Sequence, residues 1–228
     1  MLNNILDRIK ESPNEAFVER LFSEEEAKSI FNWNDVTNLL RSNTRYFEII
    51  EKNHTKLQIP GYAHDWHGIY GTIQDKQFIL DNIKAGNGFT ILGQSCYNEK
   101  IYDLSKTMEE SLNQALDAHV YGAYVKTAKS FKAHSDPSLN IILQMDGTSL
   151  WRVYAEKRHD IPPDILDVTG QLTEHLTETF SIDLTPGMML YIPRWLYHKC
   201  EPKTKRLSIS FAMMDIQIRR EPRMNFNL

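Results

Sequence analysis

The stretch FKAHSDPSLNIILQMDGTSLWRVY, residues 131–154, decides how the rest of the chain is read. From Leu139 to Asp146 its residues are mostly apolar, with Ile141, Leu143 and Met145 alternating with Ile142, Gln144 and Asp146. That run, closed by Asp146-Gly147, predicts a strand over 139–146, a tight turn and a second strand over 149–155. At its mouth His134 and Asp136 stand two residues apart. Alternate residues of a strand share a face, so a strand over 131–136 lets the two grip one ion from one side.

Working outward, alternation of period two begins at Val120 and runs almost to the end. It predicts strands over 120–126, 131–136, 139–146, 149–155, 179–184, 188–192, 196–201 and 206–213, with a second turn at Pro186-Gly187. Eight short strands of this kind describe a double-sheet jelly roll, a mainly β fold with flanking helices. Residues 156–178 break the series with Pro162-Pro163 and several charges and read as a loop or lid. Upstream, residues 1–75 read as a mostly helical or irregular cover. Ser23 and Glu26 have the spacing of a capping box, and a further helix follows Asn34. Residues 76–119 predict a helix over 76–85 ending at Gly86, a buried strand over 89–92 and a second helix over 105–119. Residues 214–228 form a polar tail. The whole reads as one domain of 228 residues.

Composition narrows the class. A net charge of -4 argues against broad attraction to nucleic acid. No stretch reaches the roughly 18–20 apolar residues of a membrane span, which with the polar N-terminus suggests a cytoplasmic protein. Cys96 and Cys200 are too few for a disulfide framework or a thiolate zinc site. His64 and His67, in GYAHDWHGIY, have ligand spacing for a helix, but the glycines around them disfavour one, so a hydrogen-bonded or pocket-lining pair is expected. A third ligand for His134 and Asp136 is best sought at His198, in PGMMLYIPRWLYHKC, on another strand of the same barrel. Two imidazoles and one carboxylate on one side of an ion leave the other side open, the arrangement of non-haem Fe(II) oxygenases.

These segments resemble the JmjC-type cupins, in which H-x-D is followed by an apolar strand, Q-x-x-G and W-x-x-Y. DLTPGMMLYIPRWLYH, residues 183–198, is similar to their distal motif. ILDNIKAGNGFTIL and VYGAY extend the likeness toward the ribosomal-protein hydroxylases, over roughly residues 75–213. The resemblance implies a jelly-roll core that binds Fe(II), uses 2-oxoglutarate and O2 as cosubstrates, and hydroxylates a C–H bond. It makes His134, Asp136 and His198 the iron ligands.

The chain departs from that pattern at several positions. Ser149 stands where those relatives have the Lys or Arg that pairs with the far carboxylate of 2-oxoglutarate. Gly122 replaces an Asn, although the neighbouring tyrosine is kept as Tyr124, and Met188 and Trp195 replace Asp and Gly. A substitute cation is sought at Lys126, which on a regular strand shares a face with Tyr124, or at Lys132 or Arg206; for each, a solvent-facing charge is the alternative. Trp195 would narrow the entrance or offer a stacking surface. His119, Gln144, Tyr191, Arg194, Trp151 and Tyr154 read as packing or structural residues as readily as site residues. The short run after the last strand does not suggest the C-terminal dimerisation and winged-helix modules of the ribosomal-protein hydroxylases, although helices on a jelly roll leave a homodimer open. The expectation is an Fe(II)- and 2-oxoglutarate-dependent oxygenase acting on a peptide or protein side chain or a small molecule. The alternatives are a metal-dependent cupin that does not use 2-oxoglutarate and a non-catalytic binding module.

Overall fold

The computed structural model describes residues 1–42, 46–51, 56–66, 69–128, 130–162 and 175–213. Its first half runs α1 (Leu2–Glu11), β1 (Phe17–Arg20), α2 (Glu24–Ile30), α3 (Trp33–Ser42), β2 (Phe47–Ile50), β3 (Lys56–Leu57), β4 (Gly61–Trp66), β5 (Ile69–Gln74), α4 (Lys76–Lys84), β6 (Gly88–Ile91) and α5 (Glu99–Leu112). The second half is β7 (Leu116–Ala123), β8 (Leu139–Asp146), β9 (Ser149–Lys157), β10 (Glu178–Leu184), β11 (Met188–Ile192), β12 (Leu196–Pro202) and β13 (Arg206–Met213). Eight strands form one sheet in the order β1-β11-β8-β13-β7-β6-β2-β3 and three form a second, β10-β9-β12, while β4 and β5 make a separate hairpin. Every strand pairing is antiparallel.

The apolar run of β8 shows how the layers stack. Ile141, Leu143 and Met145 share a core with Ile5 and Leu6 of α1, Ala27 of α2, Val36 of α3, Ile79 of α4 and Ile101 of α5. Ile142, one pleat over, packs instead with Trp151, Val153 and Cys200 of the second sheet. Period two thus sends one row of β8 under the helices and the other toward the space between the sheets. The helical cover is specified locally. Ser23 Oγ accepts the Glu26 N–H while Glu26 accepts the Ser23 N–H, completing the expected capping box at α2. The Pro186-Gly187 turn then seats that segment on the sheet. Gly187 has φ +84, its carbonyl accepts the Leu21 and Phe22 N–H groups, and a Cβ there would lie 2.0 Å from the Phe22 carbonyl oxygen.

The strands expected at 139–146, 149–155, 179–184, 188–192, 196–201 and 206–213 are present to within two residues at either end. Four expectations are corrected. The N-terminal cover is not only helical or irregular, because β1 pairs residue for residue with β11. The described residues from Phe47 to Gln74 are not irregular but contribute β2 through β5. The helix expected over 105–119 occupies 99–112, capped by the Asn98 side chain and ended by Asn113 at φ 53. From Leu116 the chain is already paired with β13, where eight ladder partners override the apolar stripe. No regular strand covers 131–136, where His134 makes a single bridge to His198. His67, the centre of the 156–178 segment and the 214–228 tail lie outside the described residues. No described helix is long and apolar enough to cross a membrane.

Candidate metal centre

His134 and His198 are brought together by backbone bonds. The His134 N–H donates to the His198 carbonyl at 3.0 Å and the His198 N–H to the His134 carbonyl at 2.8 Å. One step further, the Trp195 N–H donates to the Asp136 carbonyl at 2.7 Å. A register shift between Leu196 and His198 in the β12–β9 ladder precedes this point, as bulges do where a strand must re-aim a side chain. The two imidazole centroids lie 4.4 Å apart, and Asp136 Oδ2 stands 3.5 Å from His198 Nε2 and 4.0 Å from His134 Nε2. One donor atom from each of the three falls within 4.8 Å of the others. The shared face expected of His134 and Asp136 is therefore present, made by a bridge and a turn rather than by a strand.

The far side of each ring fixes its tautomer. His134 Nδ1 lies 2.7 Å from the Lys132 carbonyl and His198 Nδ1 lies 3.0 Å from the Leu196 carbonyl. A carbonyl only accepts, so each Nδ1 carries the proton and each Nε2 presents its lone pair toward Asp136. Asp136 is oriented in turn: Asn140 Nδ2 donates to its Oδ2 at 2.8 Å, and Ser210 Oγ donates to Asn140 Oδ1 at 3.2 Å. Burial, and then the adjacent His134 ring, push the His198 pKa down to about 4, against the opposing pull of the Asp136 carboxylate. His198 is thus neutral, the form that binds metals.

This shift has a consequence for the metal-free protein. An unfolded histidine titrates near 6.5, so between that pH and about 4 the unfolded chain takes up a proton that folded His198 refuses. Stability falls as pH drops through this window. We expect a loss on the order of 1–2 kcal/mol between pH 7 and pH 5, read as a lower denaturation midpoint, and a flatter profile for His198→Asn. Equal profiles for the two proteins would show that His198 is not the group responsible.

The three donors open onto a cavity of about 180 Å3 between the two sheets, walled in part by Phe131 and Trp151. At the same cavity sits Arg206, the first residue of β13, only 4% exposed. Its Nη1 donates to Ser208 Oγ at 2.6 Å and its Nε has no partner. No carboxylate among the described residues forms an ion pair with it. Tyr121 of β7 lines the same space, its phenol held protonated by burial and by the Asp136 charge.

Of the other residues considered for a cosubstrate, three are placed elsewhere. β7 ends at Ala123, so Lys126 is exposed in a turn, and the expected inward pairing with Tyr124 fails. Tyr124 is itself 40% exposed and packs edge-on to Trp33, with the Lys205 ammonium over both rings. Ser149, the first residue of β9, is buried; its Oγ donates to Gln144 Oε1 at 3.3 Å, and it does not line the cavity. Lys132 contributes its carbonyl to His134. Tyr191 donates to the Pro13 carbonyl, Arg194 to Pro137 and Gln114, and His119 accepts the Gly93 N–H, all structural roles. Tyr121, Asn140 and Ser208 also line the cavity and are not among the residues the sequence singles out. Their signal was available as polar residues at inward positions of otherwise apolar strands.

Residues 94–220 match the JmjC domain family. A Bacillus subtilis protein, YxbC, of uncharacterised function, is 31% identical over 121 residues, covering 44% of this chain and 36% of its own length. The bifunctional lysine-specific demethylase and histidyl-hydroxylase NO66 of Drosophila mojavensis is 30% identical over 141 residues, covering 58% of this chain and 15% of that protein. Among solved structures, the Escherichia coli ribosomal oxygenase YcfD in complex with cobalt and 2-oxoglutarate superposes with a TM-score of 0.59 at 14% identity, covering 93% of this chain and 52% of that one. The chain therefore spans 36% and 15% of the length of these two curated relatives and about half of the structural one. With more than half of its residues inside the matched segment, and with the two-sheet core the fold requires, this chain belongs to the JmjC domain family.

Proposed function

We propose that the protein is an Fe(II)- and 2-oxoglutarate-dependent oxygenase that hydroxylates a C–H bond of a protein side chain. The observation carrying this reading is that one cavity holds both the His134–Asp136–His198 donor set and the buried, carboxylate-free guanidinium of Arg206. Two imidazoles and one carboxylate suit Fe(II) and leave positions for further ligands. A buried cation without a counter-charge is costly, so Arg206 fits the far carboxylate of a dianionic oxo acid. It stands in for the cation that relatives place at the position of Ser149. Bound together, Fe(II) and 2-oxoglutarate supply oxidation of a C–H bond by O2, with the oxo acid converted to succinate and CO2.

The residues around the centre have separate tasks. The Nδ1–H bonds of His134 and His198 hold both Nε2 atoms inward, Asn140 orients the Asp136 carboxylate, and Ser208 positions Arg206. Trp151 and Phe131 wall the cavity and limit water. A protein side chain as substrate is supported by the relatives, one named as a histidyl-hydroxylase and another as a ribosomal oxygenase.

Anaerobic titration of the Fe(II)-loaded protein with 2-oxoglutarate tests this: a visible metal-to-ligand absorption band is expected, followed by succinate once O2 and substrate are admitted. No band and no succinate would leave a metal-dependent cupin of another kind, the alternative that Ser149 favours. Asn140→Ala should keep the fold but weaken Fe(II) binding by roughly 10–100-fold, the usual effect of removing a partner that orients a ligand. Unchanged affinity in a metal titration would show that the Asp136–Asn140 bond has no part in holding the carboxylate.

A further inference from the structure

The turn between β11 and β12 contains a residue whose local conformation works against it. Trp195 has φ +65; the other described non-glycine residue with positive φ is Asn113, a type that tolerates this region. A bulky L-residue is strained there, and glycine is not. Hydrogen bonds hold the backbone in place: the Trp195 N–H to the Asp136 carbonyl at 2.7 Å, and the Arg158 N–H to the Trp195 carbonyl at 2.8 Å. Next to it Arg194 reaches the Pro137 carbonyl and Gln114. A good part of the indole is open to solvent: Trp195 is 39% exposed whereas Trp151 is 7% exposed. The chain thus keeps a strained, solvent-open indole on a rigid turn, one hydrogen bond from a residue of the donor set.

From this we infer that Trp195 is a specificity-determining residue: its indole is the surface on which a polypeptide substrate lays a planar side chain close to the residue presented to the cavity. The inference rests on the oxygenase reading above. An indole face has no carboxylate or carbonyl to offer, and it discriminates by stacking with flat rings and guanidinium groups. Backbone strain kept beside a site is a mark of use there, and stacking on a partner's side chain is the use a solvent-open indole supplies.

The test compares wild type with Trp195→Gly, Trp195→Ala and Trp195→Phe. Each is supplied with Fe(II), 2-oxoglutarate, O2 and a degenerate peptide library, and peptides that gain one oxygen atom are sequenced by mass spectrometry. Wild-type products should be enriched several-fold for His, Tyr, Trp, Phe or Arg at one fixed distance from the modified residue. Trp195→Gly and Trp195→Ala should lose that enrichment, and Trp195→Phe should retain part of it. Trp195→Gly should also melt at or above the wild-type temperature, because its backbone is relieved, and should keep the anaerobic 2-oxoglutarate absorption band. Unaltered enrichment in Trp195→Gly, or loss of the band in it, overturns the role given to Trp195 and leaves the oxygenase reading standing. If wild type shows the band yet oxygenates no peptide, the protein-substrate reading fails and this inference fails with it.

Discussion

Arg206→Met should raise the dissociation constant for 2-oxoglutarate by at least roughly 100-fold while leaving Fe(II) binding and stability intact. The two halves of this expectation come from one fact, that the Arg206 guanidinium is buried beside a serine hydroxyl with no carboxylate pairing among the described residues. In the ligand-free protein that cation is under-solvated, so methionine, similar in length and neutral, should be tolerated or mildly stabilising. In the complex the same cation meets a carboxylate in a site largely closed to water, and removing one partner of such a pair costs about 3–5 kcal/mol. At about 1.4 kcal/mol per tenfold this amounts to two or more decades in affinity. Anaerobic titration gives the affinity, a metal titration the iron, and thermal melting the stability. If binding survives, the anchor lies elsewhere, with Lys132 the next candidate; if Fe(II) binding is lost as well, Arg206 has a structural role in the centre.

A linear pattern carries the candidate cations only in part. The sequence places Arg206 at the start of the strand RLSISFAM as one of three substitute cations beside Lys126 and Lys132; in the structure Arg206, Ser208 and Ser210 all line the cavity, a parity the sequence reading leaves unassigned. Lys126 was favoured by strand alternation and is misplaced, because that rule assumes an unbroken strand and β7 stops at Ala123, where the Trp33 and Lys205 contacts draw Tyr124 outward. No local pattern reports a contact with α3, ninety residues earlier. His134 and Asp136 were placed on one face for a reason only half right: their alignment depends on bonds to His198 and Trp195, long-range partners that spacing alone does not reveal. β1 was hidden for a similar reason, since four residues between two helices become a strand only because β11 offers them an edge. Asn140 was overlooked because the apolar neighbours of LNIILQMD dominate the reading, although a buried amide in such a run needs a partner and so marks one.

Asp136→Ala should abolish turnover and weaken Fe(II) binding by more than the roughly 10–100-fold attributed to outer partners such as Asn140. The carboxylate is the one anionic donor of the three, and without it two imidazoles must hold a divalent ion alone. The loss cannot be assigned to protonation of His198. The Asp136 charge raises the His198 pKa, and its removal lets burial and His134 depress that pKa further, so His198 stays neutral. Nor should unfolding be the cause, because the Asp136 side chain is about a third exposed and the turn is held through its backbone carbonyl, which the substitution retains. Asp136→Asn sharpens the comparison: it preserves shape and an acceptor for Asn140 but removes the charge, so it should fold like wild type and bind metal little better than the alanine variant. Calorimetric titration of all three proteins with Fe(II) or Co(II), beside their melting curves, separates charge from geometry. Wild-type affinity in Asp136→Ala would mean that the ion sits elsewhere, and would leave the convergence of these three side chains without a chemical purpose.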